Sequence, residues 1–243
     1  MALPDDIGER FWRETKHRRE ARDERVLDWS SKPDTYKEYD RIEMMALEKV
    51  FLGKKTLDQC LMQRRSGRAF SKEPCSLEEI SYLLWASTGI NRKEKGHEFR
   101  TAPSAGALYP IETYVCVNNV EGLEKGIYHY NIRAHGLELL HKGDAGGRVA
   151  ASGLDQHMLE EAAFDIIWSC LFERTRWKYG ERAYRYVCID VGHIAENLAL
   201  ACAAVGLSCC HVAAIYDDEA NSILGLDGEK ESVIYMSCVG RPR

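Results

Sequence analysis

The sequence predicts an α+β fold in which helices flank a central, mainly antiparallel sheet. β-Branched residues alternate along Ile111–Val117, and further short apolar runs follow Gly-containing turns. An apolar stripe with a period near 3.6 residues extends from Tyr184 to Gly206 and predicts a long buried helix. Because strand–helix–strand units do not repeat along the chain, a parallel α/β sheet is disfavoured.

The composition is that of a folded globular protein. Of the 243 residues, 45% are hydrophobic and 29% are charged, which is enough apolar surface to bury a core. The formal net charge of -5 argues against a nucleic-acid-binding protein, since such proteins carry an excess of positive charge. We therefore expect any bound phosphate to belong to a small ligand.

Cysteine usage and hydropathy predict a cytoplasmic protein. The nine cysteines are odd in number, form no C-x-x-C pair and lie mostly in apolar runs, where thiols pack as small hydrophobic groups. The first residues contain no apolar signal region, and no run approaches the ~18 uninterrupted apolar residues of a membrane span. We expect no association with a membrane.

The first 55 residues are predicted to form an arm, and residues 56–243 the main domain. Residues 5–28 are dense in charge and contain too few apolar side chains for a core of their own. A turn signal at Ser31–Asp34 precedes an extended strap over Tyr36–Met45. We expect the arm to pack on the core or on a partner subunit.

Two short helices are predicted before the first strand of the main domain. Thr56 can cap a helix that carries Leu57, Cys60 and Leu61. Ser76 and Glu79 form a capping box, and the helix that follows is predicted to end at Gly89.

The remaining elements follow from short apolar runs and their turn residues. Strands over Gly126–Tyr130 and Leu137–Leu140 are expected to pair as antiparallel neighbours. Further along, the sequence predicts a strand over His211–Ile215, a helix capped by Asp217 and ending at Gly225, and a last strand over Ser232–Val239.

A cluster of basic and hydroxyl side chains follows the predicted helix that Thr56 caps. Its members are Arg64, Arg65, Ser66 and Arg68. Guanidinium groups present paired N–H donors that match phosphate oxygens, so the cluster indicates an anionic cofactor. The structural alternative is a solvated basic turn, the commonest fate of such a cluster.

Taken in order, several segments resemble the nitroreductase-like flavoproteins, and within them the SagB-type branch. That branch includes dehydrogenases that oxidise thiazolines and oxazolines in modified peptides. The matching segments are Thr15–Lys16, Lys32–Pro33, Tyr36–Lys37, Arg64–Phe70, Leu83–Ile90, Arg100–Pro110, Gly126–Tyr130, Lys178–Tyr186, Gly192–Asn197 and Gly206–Leu207. They cover most of the chain, and it is their common order that makes the resemblance specific.

The resemblance implies the nitroreductase fold and an intertwined homodimer with two FMN molecules at the subunit interface. Arg64, Arg65, Ser66 and Arg68 would hold the FMN phosphate and ribityl chain. The residues implied to reach the flavin from the other subunit are Pro103, Ser104, Ala105 and Gly106, and small residues suit a close approach of backbone to a flat ring. Alone, this segment would be an ordinary tight turn.

Two further contacts with the flavin are implied by the resemblance. The backbone of the segment Ser208–Ala214 would lie along the flavin, with Val212, Ala213 and Ala214 as the contacting residues and an amide near Ala213 facing N5, although a core strand is the structural alternative. Arg241 would add a phosphate contact, whereas arginines near a chain end are more often solvated. The chain departs from nitroreductases that carry an asparagine in the flavin-facing loop, because the matching stretch reads Ala105–Leu108.

The pair Lys178–Tyr179 matches the Lys-Tyr pair to which base catalysis is attributed in the azoline-oxidising members. A dehydrogenase that sends hydride to flavin N5 must also remove a proton, so it needs a base near the substrate. A lysine is a poor base unless its pKa falls from about 10.4. Neighbouring arginines favour such a change and Glu173 and Glu181 oppose it. Without the match, a solvated lysine beside an inward-packed tyrosine would be favoured.

No metal site is predicted. His193 and Glu196 share a helix face but lack a third ligand, so we expect a buried polar pair. The histidines at 129, 135 and 141 fit no compact ligand pattern, and adjacent Cys209 and Cys210 would point to opposite faces of a strand. The sequence also lacks a G-x-G-x-x-G fingerprint and a Walker-type P-loop.

The sequence therefore favours an FMN-dependent oxidoreductase that moves hydride between flavin N5 and a small or peptide-borne substrate. An azoline-type dehydrogenase is the leading hypothesis. Two alternatives stay open: a nitro or quinone reductase with NAD(P)H as a transient electron donor, and a non-catalytic flavin-binding carrier or sensor.

Overall fold

A seven-stranded antiparallel sheet forms the centre of the molecule. The computed structural model describes residues 6–20 and 26–243, so the segments 1–5 and 21–25 of the predicted arm lie outside the described residues. The strands are β1 (Met44–Ala46), β2 (Ile90–Glu94), β3 (His97–Arg100), β4 (Ile111–Val117), β5 (Gly126–Asn131), β6 (Gly136–Lys142), β7 (Phe164–Leu171), β8 (Ser208–Val212) and β9 (Glu231–Gly240). Their order in the main sheet is β1-β6-β5-β4-β7-β9-β8, while β2 and β3 form a separate hairpin.

Helices cover both faces of this sheet. They are α1 (Ile7–Glu14), α2 (Leu57–Gln63), α3 (Leu77–Thr88), α4 (Gly146–Ser152), α5 (Met158–Glu161), α6 (Phe172–Tyr179), α7 (Ala183–Val205) and α8 (Asp217–Leu224). One core packs α3 and α7 against side chains such as Val115 and Trp168. The other packs α4, α5 and α8 against side chains such as Tyr114 and Ile167. The predicted α+β class and antiparallel sheet are confirmed.

Local signals placed most of the predicted helices and strands. The side chains of Thr56 and Ser76 cap α2 and α3, each within a capping box. Gly89 follows α3, and Gly206, in a left-handed conformation, follows α7. β4 pairs with β5, and β5 with β6, as antiparallel neighbours.

Two predicted boundaries near the C-terminus are wrong. The strand β8 begins at Ser208 and ends at Val212, three residues before the predicted end, because its ladder with β9 stops where Val212 pairs with Met236. Tyr216, not Asp217, occupies the N-cap of α8, and Asp217 is the first residue within the helix. The end of α8 at Gly225 is confirmed.

The described parts of the arm lie against the main domain. Arg185 of α7 donates to the Thr15 hydroxyl (2.7 Å), and its guanidinium lies 3.7 Å from the centre of the Trp12 ring. Further along, β1 pairs with β6 at the edge of the sheet. The arm thus supplies an edge strand as well as packing on α7.

The stretch Phe172–Val205 is the one described segment with the length and apolar composition of a membrane span. In the structure, 56% of its apolar window is buried, as in the core helices of soluble proteins. It is therefore weak evidence for a membrane.

Candidate active site

The basic segment after α2 runs along the free edge of β8. Ser66 forms a parallel bridge with Cys209, and the Gly67 N–H donates to the Cys209 carbonyl at 3.0 Å. A Cβ atom on Gly67 would lie 2.6 Å from the Ser208 hydroxyl, closer than real Cβ contacts allow. The glycine therefore lets the cluster lie against β8, so two segments predicted to contact the flavin are neighbours.

A cavity of about 430 Å³ opens beside this segment, at the C-terminal end of α7. Lys55, Arg64 and Arg65 line it, and no aspartate or glutamate is among the described residues that line it. Arg64 makes only a long contact of 3.9 Å with Glu196. Arg65 and Arg68 are exposed and form no ion pair with a described residue. An excess of free guanidinium donors fits a phosphate group, so the site passes this chemical test for FMN.

The strand β8 presents different environments along its length. Burial and the nearby Arg64 lower the pKa of His211 to about 4, so its imidazole is neutral at neutral pH. Val212 is buried in the core, whereas Ala213 and Ala214 are exposed just beyond the end of the strand. At the end of β8, a ligand could contact the backbone of Val212 and both the backbone and the side chains of Ala213 and Ala214.

The segment 103–109 is held by a buried carboxylate of α7. The Ser104 hydroxyl donates to Asp190 at 2.5 Å, and the Ala105 N–H donates to the same carboxylate at 3.2 Å and 3.3 Å. Ser104 in turn accepts from the Tyr109 N–H at 2.9 Å. Burial raises the pKa of Asp190, and the hydrogen bonds from Ser104 and Ala105 oppose that rise.

The backbone of this segment is strained. Gly106, Ala107 and Tyr109 have φ values of 64°, 52° and 48°. Residues other than Gly, Asn and Asp rarely adopt this left-handed region, so the strain lies at Ala107 and Tyr109. Such a conformation persists only where surrounding contacts enforce it. The bonds to Asp190 supply this constraint.

Gly106 brings the segment onto the predicted catalytic pair. A Cβ atom on Gly106 would lie 2.6 Å from the Tyr179 hydroxyl and 3.1 Å from Lys178 Nζ. Residues more than seventy positions apart therefore meet, and the absence of a side chain on Gly106 permits it. Lys178 and Tyr179 occupy the last turn of α6 and are half-buried.

The charged neighbours of Lys178 in the sequence are bound elsewhere. Arg176 pairs with Glu173 and Glu181, the two carboxylates predicted to act on the lysine. The remaining arginines bind Glu112 and backbone or hydroxyl groups of the arm; they are Arg174, Arg182 and Arg185. Among the described residues, no carboxylate pairs with the Lys178 ammonium.

The two clusters lie apart within one chain. The cavity with the arginines borders Ala199, Ala203 and the end of α7, whereas the segment 103–109 is fixed at Asp190. Asp190 is six residues from Glu196, which Arg64 contacts, and thirteen residues from Ala203 at the far end of the cavity, or ~9 Å to ~20 Å of helix axis at 1.5 Å per residue. The chain thus presents two half-sites, one at each place.

Arg241 lies on α3. Its guanidinium contacts Glu79 at 3.0 Å and donates to the Pro74 carbonyl at 3.0 Å. The interaction with a phosphate that the sequence resemblance implied for Arg241 stays a prediction.

The pair His193 and Glu196 differs from expectation. Both residues are exposed on α7, so the predicted buried polar pair is wrong; Glu196 instead lies 3.9 Å from Arg64. Across the described residues, no group of three His, Cys, Asp or Glu side chains could hold a metal ion. Cys209 and Cys210 are buried and unpaired with each other, which confirms their packing role.

Sequence reasoning missed Asp190. It lies within the apolar stripe of α7, between Val187 and Ile194, and is 3% exposed. A single carboxylate on the buried face of a helix was the available signal, because an ionisable residue is seldom buried without a specific partner.

The sequence profile described as the Nitroreductase family matches residues 61–241. The chain belongs to the nitroreductase family. It is therefore an oxidoreductase by family, and the predicted fold and family are confirmed.

Relatives divide into two groups within the nitroreductase family. A protein of Methanocaldococcus jannaschii named as a nitroreductase is 38% identical over 185 residues, which cover 76% of this chain and 90% of that protein. The trifolitoxin-processing protein TfxB of Rhizobium leguminosarum bv. trifolii is 33% identical over 67% of this chain and 45% of its own length. The microcin B17-processing protein McbC of Escherichia coli is 30% identical over 56% of this chain and 51% of its own length. The chain spans about half the length of these two peptide-processing relatives, which support the SagB-type branch within the nitroreductases.

Solved structures of nitroreductases share the fold. One from Anabaena variabilis superposes with a TM-score of 0.79 at 27% identity, covering 96% of this chain and 46% of that one. The E. coli microcin synthetase McbBCD, with truncated pro-MccB17 bound, matches with a TM-score of 0.64 at 19% identity, over all of this chain and 84% of that one. A nitroreductase from Desulfovibrio desulfuricans in complex with FMN has a TM-score of 0.55 at 20% identity, over 78% and 87% of the two chains. The last two show the fold alone.

Proposed function

We propose that this nitroreductase-family protein is an FMN-dependent dehydrogenase that oxidises an azoline-type heterocycle in a small molecule or a modified peptide. The observation that carries the proposal is the contact of Gly106 with Lys178 and Tyr179. It joins the small-residue segment expected at the flavin to the only candidate base that the sequence offered. A general base beside a hydride acceptor is the minimum that such a dehydrogenase needs.

Residues of the first half-site would hold the cofactor. Arg64, Arg65 and Arg68 supply free guanidinium donors for the phosphate, and Ser66 adds a hydroxyl. The exposed Ala213 and Ala214 leave room for a flat ring beyond the end of β8. When bound, FMN supplies a two-electron acceptor that takes hydride at N5.

A homodimer is the assembly that the two half-sites favour. The arginine cluster and the segment 103–109 contact α7 at different places, ~9 Å to ~20 Å apart along the helix axis. A second copy of the chain can bring its own segment 103–109 to the arginines of the first. Helix α2, next to those arginines, exposes the apolar side chains of Leu57, Leu61 and Met62. Such a patch is typical of a surface that a partner covers.

Lys178 would act as the base. Oxidation of a thiazoline ring to a thiazole removes a hydride from one ring atom and a proton from its neighbour, and Lys178 Nζ would accept that proton. The Tyr179 hydroxyl, on the same side of Gly106, would hold the substrate by a hydrogen bond. Among the described residues no carboxylate pairs with Lys178 Nζ, so this nitrogen is free to face a substrate.

The names of two relatives support a peptide-borne substrate. TfxB and McbC are described as processing trifolitoxin and microcin B17.

The unpaired state of all nine cysteines is consistent with a reducing cytoplasm.

The cofactor and the direction of turnover are tested together. We expect the purified protein to be yellow with an FMN spectrum and to oxidise a peptide-borne thiazoline, with anaerobic bleaching of the flavin by that substrate. Rapid, saturable bleaching by NADH or NADPH instead would show the nitro or quinone reductase that the archaeal relative's name favours. Bound FMN that neither reagent bleaches would show a flavin carrier.

The base is tested by Lys178→Ala. We expect the variant to keep bound FMN and to lose thiazoline oxidation by about 10²–10⁴-fold, the usual contribution of a general base. Lys125→Ala, which removes an exposed lysine paired with Asp144, serves as the matched control and should retain activity. Undiminished oxidation by Lys178→Ala would remove this residue from the mechanism.

A further inference from the structure

A second, larger cavity borders the candidate active site. It measures about 860 Å³, within the range of natural ligand sites. Its walls are the arm segment 32–38, the hairpin β2–β3, Arg133 and the residues Ala107 and Tyr109. None of the sequence predictions concerned this cavity.

The cavity reaches the catalytic pair from two directions. On one wall, Ala107 directly follows Gly106, which touches Lys178 and Tyr179. On the other, Lys32 directly follows Ser31, whose hydroxyl accepts from the indole of Trp177, the residue before Lys178. A substrate whose reacting ring lies at Lys178 would therefore extend its flanking groups into this cavity.

The walls carry charged side chains, and Glu98 contacts residues from several of them. This carboxylate accepts from the Tyr36 hydroxyl of the strap at 2.7 Å and pairs with Lys93 of the hairpin at 2.6 Å. It also lies 3.6 Å from Arg133, which stacks on the Tyr36 ring at 4.1 Å. A braced, polar cavity suits a polar, extended ligand better than a flat apolar aromatic compound.

The hairpin offers a free strand edge to that cavity. Lys95 and Gly96, with φ values of 50° and 80°, form a two-residue turn closed by the pair Glu94 and His97. Hydrogen-bonded and non-hydrogen-bonded pairs alternate in antiparallel strands, so the N–H and C=O of Glu98 point away from β2.

Arg100 shows where this edge faces. It lies two residues beyond Glu98 and so points the same way, and its N–H donates to the Tyr109 hydroxyl at 3.2 Å. Tyr109 lines the cavity. Among the described residues, no strand pairs with this side of β3.

We propose that this cavity binds the peptide main chain beside the reacting heterocycle, and that the free edge of β3 at Glu98 pairs with it as an added strand. Main-chain pairing binds peptides of differing sequence, since its hydrogen bonds do not involve side chains. The inference rests on the proposed function, because it assigns the peptide that carries the ring to a definite groove. Hydride and proton leave the ring as described above, and the groove takes no part in that step.

Binding is tested without turnover, on the FMN-loaded protein. The probe is a hexapeptide with a central thiazole, the oxidised product, which cannot react further. At saturating probe we expect hydrogen exchange of the Glu98 amide to slow at least tenfold, with little change at β1, an edge strand of the separate seven-stranded sheet. Binding of the probe without protection of residues 97–100 would overturn the proposal.

A blocking variant provides the kinetic test. His97 is exposed and lines the cavity, so His97→Trp should fill part of it. We expect this variant to raise KM for a thiazoline-bearing hexapeptide about tenfold and to leave kcat/KM for free 2-methylthiazoline-4-carboxylate unchanged. Arg92→Trp, on the neighbouring strand and outside the cavity lining, is the matched control and should change neither value.

The outcomes separate the groove from the proposed function. Equal effects of His97→Trp on both substrates, or none on either, would overturn the groove while the dehydrogenase stands. If the FMN-loaded wild type oxidises neither ring, the proposed function fails. The exchange experiment with the thiazole peptide then decides the groove by itself.

Discussion

At the scale of single residues, the candidate site depends on a carboxylate that takes no part in the proposed chemistry. Asp190 accepts from Ser104 and Ala105 and thereby fixes a segment with three left-handed residues. Lys178 and Tyr179 approach that segment from the other side, at Gly106. The lysine–tyrosine pair carried a recognisable sequence signal, whereas the importance of Asp190 depends on the contacts that it makes.

We expect Asp190→Asn to weaken the segment 103–109. An amide oxygen can still accept from Ser104 and Ala105, but the bonds lose the negative charge of their acceptor, and hydrogen bonds to charged groups contribute about 1.5–3 kcal/mol. Urea unfolding should show a loss of this size, and fluorescence titration should show FMN affinity reduced about tenfold.

The matched control for Asp190 is Asp165→Asn. Asp165 is buried in β7, accepts from Asn118, and burial raises its pKa well above the ordinary value. A neutral amide should be tolerated there with FMN affinity unchanged. Equal losses of FMN affinity in both variants would show that Asp190 acts only through general stability.

At the scale of elements, the phosphate half-site is built by the end of α2 and the edge of β8. The helix stops at Arg64, and the next residues run along Cys209 because Gly67 has no side chain to strike Ser208. The capping box at Thr56 fixes where α2 begins and hence where the arginines emerge. Element boundaries therefore decide which donors face the cavity.

Arg65→Ala and Arg68→Ala should each weaken FMN binding through the phosphate alone. Loss of one charge-assisted hydrogen bond weakens binding by about 1.5–3 kcal/mol, which raises Kd roughly tenfold to a hundredfold. Riboflavin, which has no phosphate, should bind both variants and the wild type equally, as measured by flavin fluorescence quenching. Arg148→Ala, an exposed arginine of α4, is the control. A matching loss of riboflavin affinity would place these arginines at the ring instead.

At the scale of the whole molecule, a buried charge network joins the sheet, the arm and α6. His129 contacts Glu138 through Nδ1 at 2.7 Å and Glu112 through Nε2 at 3.0 Å. Carboxylates only accept, so both ring nitrogens are protonated and the imidazole is charged. Arg174 completes the network by donating to Glu112 and to the Asp34 carbonyl of the arm.

His129→Gln should destabilise the protein in a pH-dependent way. Burial lowers the pKa of His129, but the hydrogen bonds that its ring donates to Glu112 and Glu138 outweigh this effect and leave the pKa raised. The stabilisation is therefore complete below the unfolded value of about 6.5 and is lost as the pH rises through the raised folded pKa.

The measurement is urea unfolding of both proteins between pH 6 and pH 9. We expect the variant to be less stable by about 3–5 kcal/mol at pH 6, since breaking a buried ion pair leaves charges unpaired, and the difference to shrink at higher pH. His141→Gln, at an exposed histidine of β6, should show no such trend. A difference that stays constant with pH would contradict a charged His129.

Much of the fold was predictable because its signals are local. Capping boxes, terminal glycines and alternating strands depend on neighbours in the sequence, and α3, β4 and α7 were found in this way. The central strand β7 was not assigned, because both its faces are buried and its residues do not alternate. The hairpin β2–β3 was also missed, since its strands are mostly exposed and carry charged residues.

The sequence by itself determined which chemical groups this protein can use: the guanidinium cluster at Arg64–Arg68, the small residues at 103–106 and the pair Lys178–Tyr179. Only the tertiary structure decided which groups meet, since it set Gly106 against Lys178 and Tyr179 and bound the neighbouring arginines elsewhere. The physical reason is that a side chain's identity is local, whereas its burial, its partners and its free charge depend on contacts between distant parts of the chain.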